Sequence, residues 1–556
     1  MKNCKLFFCL TAFCWITTTN ACTNFLVGKT ASVDGSTMIS YSADSYWLYG
    51  ALYHQPAAVY PKNTQLKVYE WDTGKYLGTI AQARQTYNVI GNINEHQVAI
   101  GETTFTGREE LIDTTGILDY GSLIYIALQR AKTAREAIKI MTDLVAQYGY
   151  YSSGESFSIA DPNEVWIMEM IGKGPGRKGA VWVALRIPDN CISAHANQAR
   201  ITKIPFRDSY NCLYSPDVVE FAREKGYYSG SDENFSFSDT YNPLDFGGLR
   251  FCEARVWSFF RQVSSATDRF ISYINGETRE RLPLWVKPDK RLSVDDIKNM
   301  MRDHYEGTPL DMTRGAGSGA FGSPFRNSPL SYFVDSVEYF HERPTATQQT
   351  GFSFVAQMRR WLPNSIGGIL WFGVDDASTG FYTPIYCCTN KVPLCFDMSN
   401  GNMFEVSWTS AFWINNWVAS MVYNRYSDLI QTVKTEQKKW DIEFKIALIS
   451  ADVTALEIYE RGQEADVSRY LTTFSIEQAQ SISASWKTMG EQMMIKYLDG
   501  VVKGTDENGN YLQNNLHIPG KIIRPGYSEE YNRKEFVTPD PDRFRMRSQK
   551  EMEERW

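Results

Sequence analysis
Thr19-Asn20-Ala21-Cys22-Thr23-Asn24-Phe25-Leu26-Val27-Gly28-Lys29-Thr30-Ala31-Ser32-Val33-Asp34-Gly35-Ser36-Thr37-Met38-Ile39-Ser40-Tyr41-Ser42-Ala43-Asp44-Ser45 holds two apolar-rich runs, 23–29 and 36–44, around a segment that ends in Asp-Gly. Asp-Gly between such runs is a hairpin signal, because both residues tolerate the backbone angles of a tight turn. With the turn centred near Val33-Asp34, antiparallel pairing carries Tyr41 to Ser45 back beside Cys22, since both lie roughly ten residues from the turn.

What precedes Cys22 gives that residue its interest. Lys2 and Lys5 form a short basic region, Leu6 to Ile16 an apolar run and Thr19-Asn20-Ala21 a small-residue stretch suited to cleavage, the pattern of a secretory signal over 1–21. The expected location is therefore exported, periplasmic or extracellular. Of ten cysteines, Cys4, Cys9 and Cys14 would leave with the signal. Seven remain: Cys22, Cys191, Cys212, Cys252, Cys387, Cys388 and Cys395. An odd number in an exported protein suggests a free thiol with a task. A cysteine at a mature N-terminus also carries its own base, because its α-amine, with a reference pKa of about 7.7–8.0, can take the thiol proton near neutral pH. The competing reading is a lipid-anchored cysteine. Against it, position 19 is Thr rather than Leu, and Cys22 runs directly into a strand pattern instead of a flexible polar spacer.

The remainder is globular: 556 residues, 43% hydrophobic and 14% aromatic, enough to bury a large core. A net charge of −7 with interspersed signs gives no footprint for nucleic acid. No later apolar stretch is long enough to span a bilayer. Strands are expected at 89–90, 98–101, 157–160, 165–170, 181–187 and 191–194. Thr133-x-x-Glu136 should open a helix that Gly149 ends, and Ser293-x-x-Asp296 a helix that Gly307 closes. From Trp408 onward the pattern is helical, longest over 442–459 and 475–498. No linker divides the chain, so three parts are expected: the signal 1–21, a body over 22–400, and a helical C-terminal region and tail over 401–556 packed on that body.

Competing motifs fail on context. Gly317-x-Gly319-x-x-Gly322 has the letters of a dinucleotide loop, but Pro324 stands where a helix should open. The six histidines, at 54, 96, 195, 304, 341 and 517, show no H-E-x-x-H spacing, so neither a metal nor a cofactor is expected.

The segment from Cys22 to Ile39 with Ala43-Asp44-Ser45 resembles the start of the dipeptidase A family, cysteine peptidases of the N-terminal-nucleophile hydrolase class. The resemblance continues through Asn94-Glu95-His96, Glu155-Ser-Phe with Ala160-Asp161, Glu164-Val-Trp, Trp182-Val-Ala-x-Arg186, His195-Ala-Asn197-Gln, Asp303-His-Tyr-Glu-Gly-Thr-Pro-x-Asp311 and Lys496-Tyr-x-Asp-Gly500. It implies an α+β fold, the four-layer αββα sandwich of that class, with Cys22 opening a central strand and cleaving dipeptides through a thioester. Bile-salt hydrolases and penicillin V acylases, more distant relatives, suggest further roles. Asp44 matches their strand-end aspartate, as orienter of the nucleophile's amine or binder of a substrate's amine. Tyr41 stands where they carry an arginine and is expected to touch substrate. Asn197 and Thr104 fall at positions that bind the tetrahedral oxyanion, and Arg255 at the arginine that supports the nucleophile. Small peptides are the expected partners, and homo-oligomer formation is left open. Two other functions compete: an amidase for N-acyl amino acids or conjugated bile acids, and a non-catalytic binding lipoprotein acylated at Cys22.

Overall fold
The computed structural model describes residues 22–539 and 541–554; the signal reading for 1–21 lies outside them. Cys22 leads into the strand Asn24–Val27, which turns through Ala31 to Gly35 into Thr37–Asp44. Asp34 makes that turn, accepting from Ser36 N at 3.0 Å and Ser36 Oγ at 2.6 Å, while Gly35 takes a left-handed φ of 85° that its missing side chain permits. The register is the one the turn dictates: Leu26 faces Ile39, Val27 faces Met38, and Thr23 bridges Ser42. The Cys22 end of one strand thus lies beside the Asp44 end of the other.

Among the described residues this hairpin sits in the middle of a seven-stranded sheet. Its order is Trp285–Val286, Ile192–His195, Asn24–Val27, Thr37–Asp44, Thr350–Met358, Gly368–Val374, Thr383–Tyr386, with every neighbouring pair antiparallel. An eight-stranded antiparallel sheet follows the order Cys212–Tyr214, Ala180–Arg186, Val165–Gly172, Gly154–Ala160, Ala99–Thr106, Ile93–Asn94, Val89–Ile90, His54–Gln55. Period-two alternation sorts its side chains between two cores. Ile167 and Ile171 join the apolar cluster of the first sheet, whereas Trp166, Met168 and Met170 pack with the helices Tyr120–Leu128 and Ala134–Tyr148. On the other side of the first sheet, Phe25 stacks on Phe259 of the helix Ala254–Val263, ring centroids 4.0 Å apart. The chain is mixed α and β.

The predicted strands are all present. Those the sequence reading did not place, Thr350–Met358, Gly368–Val374 and Thr383–Tyr386, complete the sheet beside Thr37–Asp44. They are buried along their whole length, so they lack the polar alternation that marks a half-buried strand. Thr133 caps its helix, accepting from Glu136 N at 3.2 Å, and Gly149 ends it at φ 84°. Ser293 and Asp296 form a full capping box, but that helix stops at Met300 rather than near Gly307. The residues beyond are claimed by neighbours: Asp303 O accepts from Ala346 N, and Tyr305, at φ 65°, donates its hydroxyl to Arg343 O at 2.6 Å. The C-terminal helices run Ala411–Asn424, Tyr426–Glu460 and Glu464–Tyr497 and share the first sheet's core; Trp486 Nε1 donates to Thr379 O at 3.1 Å. Gly317 and Gly319 lie in 3₁₀ turns over Ala316–Phe321, not in a strand-to-helix loop. The seven cysteines among the described residues are unpaired, and no helix there is long and apolar enough to cross a membrane.

His195 clamps the two sheets. Its Nδ1 meets Thr103 Oγ1 and its Nε2 meets Ser158 Oγ, both at 2.7 Å and fully buried, and burial pushes its pKa down to about 3. It is a neutral cross-tie. His195→Leu should therefore lower unfolding stability by roughly 2–4 kcal/mol, because the cross-tie is lost and two buried hydroxyls each lose a partner, Ser158 keeping only Asn24. Urea titration of the variant against wild type measures this, and a loss below half a kcal/mol would contradict the clamp.

Candidate functional site
Cys22 is buried at the head of its strand. Its Sγ lies 3.7 Å from Glu102 Oε1 and 3.8 Å from Tyr41 Oη, and the backbone N–H of Asp44 faces it. Burial, then the charges of Glu102 and Asp44, push the thiol well above its usual range; the Asp44 amide and Tyr41 hydroxyl pull the other way. Left to these neighbours, the sulfur holds its proton at neutral pH.

Arg255 fixes the residue from behind. Fully buried in the helix Ala254–Val263, it donates to Cys22 O at 2.5 Å, Thr23 Oγ1 at 2.8 Å, Ala196 O at 3.1 Å, Asn197 Oδ1 at 2.9 Å and Phe251 O at 2.7 Å. One guanidinium thereby ties the start of the nucleophile strand to the Ala196-Asn197 turn that ends its neighbour. Asn197 takes a left-handed φ of 64° and donates through Nδ2 to Thr104 O at 2.8 Å. The Thr104 hydroxyl points elsewhere, to Glu155 Oε1 at 2.8 Å. Asp44 is closely held: Arg343 Nη2 reaches its Oδ2 at 2.5 Å and Thr350 Oγ1 its Oδ1 at 2.7 Å, with Ser42 Oγ at 3.3 Å. Burial raises its carboxyl while Arg343 draws it down.

The structure thus gathers Cys22, Tyr41, Asp44, Thr104, Asn197 and Arg255 into one connected region. It adds three residues that the sequence reading did not assign: Glu102, Glu155 and Arg343. Tyr41 donates to Glu102 Oε1 at 2.5 Å, so the residue standing in place of the relatives' arginine serves a carboxylate. Glu102 lies on the strand Ala99–Thr106, whose other edge pairs with Ile93 at Ala99 and is held by Asn92 at Ile100; its side chain reaches Cys22 and Tyr41. Gly101 makes the approach feasible, since a Cβ there would fall 2.8 Å from Asn24 Nδ2 and 3.1 Å from Tyr41 Cβ. Glu102 and Glu155 share a hydrogen bond, and burial raises both acids, Glu102 to about 7 and Glu155 well above its usual range with the Glu102 charge adding to the rise. A signal was available: each glutamate interrupts a strand that is otherwise apolar or hydroxylic, and cross-strand register sets Thr104 opposite Glu155.

A sequence model of peptidase family C69 matches residues 21–439. Relatives include a probable dipeptidase of Latilactobacillus sakei, 26% identical over 82% of this chain and 90% of its own, and a probable dipeptidase of Salmonella dublin, 27% identical over 66% and 81%. A dipeptidase of Bifidobacterium longum is 23% identical over 75% and 80%.

The buried acid pair should leave its mark on stability. Its folded pKa values lie above the ordinary 4.5, so between that value and about 7 the folded protein binds more protons than the unfolded chain and stability falls as pH rises. Glu155→Gln removes one of the two acids and should raise Tm more at pH 8 than at pH 5. Calorimetry of both proteins across that range isolates the pair from Glu169 and Asp375, which also rise, to about 7 and 8. An equal shift at both pH values would argue against a shared proton.

Proposed function
We propose, from the premise that the chain belongs to peptidase family C69, that it is an exported cysteine dipeptidase. Removal of residues 1–21 leaves Cys22 as an N-terminal nucleophile acting in the periplasm or outside the cell. The fold reading that goes with it is the αββα sandwich of N-terminal-nucleophile hydrolases; the two antiparallel sheets with Cys22 heading a central strand support it. The observation that carries the mechanism is the single guanidinium of Arg255 gripping both Cys22 O and Asn197 Oδ1.

In this reading the freed α-amine of Cys22 takes the thiol proton as Sγ attacks the scissile carbonyl, and a carbon–sulfur bond forms. The oxyanion is met by the Asn197 amide, a donor typically worth ~3 kcal/mol. Thr104 contributes by position, its carbonyl holding that amide. The tetrahedral centre collapses, the leaving amine takes the proton, and a thioester remains. Water, deprotonated by the same α-amine, hydrolyses it and frees the sulfur. Asp44, anchored by Arg343 and Thr350, orients the amine while its own N–H faces the sulfur. Within the precursor the Cys22 nitrogen is an amide and cannot act as a base, so export processing also switches the enzyme on.

Cys22→Ala should abolish dipeptide hydrolysis while leaving the melting temperature within a few degrees. Intact-mass measurement of protein exported by its native host should give the mass of 22–556 unmodified. Retention of more than a few per cent of wild-type activity in the Ala variant would remove Cys22 from the chemistry. A lipid-sized increment at the N-terminus would convert the reading to a binding lipoprotein, and turnover of taurocholate or N-acyl amino acids in preference to dipeptides would convert it to an amidase.

A further inference from the structure
We propose that Glu102, paired with Glu155, is the anchor for the free α-ammonium of the substrate's first residue, so that the site takes unblocked peptides and rejects N-acylated ones. This rests on the cysteine dipeptidase reading and deepens it.

The first argument is distance. In a peptide the α-nitrogen lies two bonds from the carbonyl carbon, about 2.5 Å away, and the attacking sulfur stands about 3–3.5 Å from that carbon before reaction. The amine of the residue under attack therefore falls within a few ångströms of Sγ. Glu102 Oε1 is 3.7 Å from Sγ, where it can accept from an ammonium whose carbonyl is in line with the sulfur. The second argument is hydrogen-bond accounting. Glu102 and Glu155 are each 1% exposed, yet apart from each other their Oε2 atoms meet no donor among the described residues, and no lysine or arginine there pairs with either. Buried carboxylates retained for the fold alone are capped by donors or a cation. An ammonium brings three donors and the missing charge.

The third argument is elimination. Asp44, the other acid near Cys22, already accepts from Arg343, Thr350 and Ser42. Its side of the nucleophile also holds the guanidiniums of Arg343 and Arg255, which repel a cation. Around Glu102 the charged neighbours are acids: Glu155, and Asp72, which accepts from Tyr120 Oη at 2.9 Å and whose charge acts on both glutamates. An acyl chain placed against Glu102 would offer its buried carboxyl neither a donor nor a charge.

The test is a cycle between protein and substrate: Glu102→Gln against wild type, and Ala-Ala against propionyl-Ala, which lacks only the amine. Wild type should prefer Ala-Ala in kcat/KM by roughly 10²–10³-fold, the range for losing one partner of a buried charged pair. Glu102→Gln should bring that ratio to within about threefold of unity, mainly by slowing Ala-Ala through KM, while alkylation of Cys22 by iodoacetamide continues. Equal losses on both substrates would assign Glu102 to the nucleophile or the fold and overturn the proposal, as would an unchanged preference. If Glu102→Gln does not fold, Glu102→Asp serves: a partly reduced preference supports the anchor, and an unaltered one refutes it. Wild type that cleaves neither substrate or only propionyl-Ala, or a Cys22→Ala variant that still cleaves, would sink the dipeptidase reading and this inference together; a wild type that cleaves Ala-Ala and propionyl-Ala equally well would sink this inference alone.

Discussion
The site hangs on one buried cation. Arg255 sits in the interior with no carboxylate paired to it among the described residues, its charge spread over four backbone or side-chain oxygens of the nucleophile strand and the Ala196-Asn197 turn, and a fifth, Phe251 O, in the turn that leads into its helix. Taking a guanidinium out of water costs several kcal/mol, recovered only where every donor is matched. A lysine could match one or two of these oxygens but not the planar fork. What this arrangement fixes is mutual position: the Cys22 carbonyl and the Asn197 amide cannot drift apart without leaving a buried donor unmet.

Around that fixed point the fields are opposed. Asp44, beside Cys22, is paired with Arg343 and feels the charge of Arg255; Glu102, the other acid at the sulfur, is neighboured by Glu155 and Asp72. The two glutamates have no balancing cation among the described residues, and burial raises them accordingly. Strain of this kind in a stable fold is commonly functional, because stability and activity draw on the same groups. The His195 cross-tie stands close by in the chain but does other work, spending both ring nitrogens on hydroxyls of the facing sheet.

How much of this was legible in the sequence follows from its physics. The hairpin was readable because Asp34-Gly35 and the period-two runs are local signals, and its register then placed Asp44 beside Cys22. The later strands were not, since segments buried on both faces carry no alternation and could equally be helix. Cys22 announced itself through what precedes it. Arg255, Asn197 and Thr104 were placed by family resemblance, and the structure shows contacts no spacing contains: 233 residues separate Arg255 from the carbonyl it holds. Glu155 stands in one of the runs that carry the resemblance and Glu102 directly follows an expected strand, yet a glutamate in a strand reads as an outward-facing residue until tertiary packing closes over it.

A carboxylate beside a thiol is a poor activator, because its charge disfavours the thiolate; here Glu102 is second only to burial in pushing the Cys22 pKa up. This opposes any reading in which Glu102 prepares the nucleophile directly. An α-ammonium seated on Glu102 reverses the sign. The pair becomes neutral, the penalty on the thiolate lifts, and the positive nitrogen stands within a few ångströms of the sulfur, where a charge in low dielectric acts strongly. The substrate that fits would then complete the electrostatics of its own cleavage. A blocked peptide would lose twice, first in binding and again because the sulfur it meets still carries its proton. Selectivity for a free amine would then appear in kcat as well as in KM, which a purely steric gate at the same position would not produce.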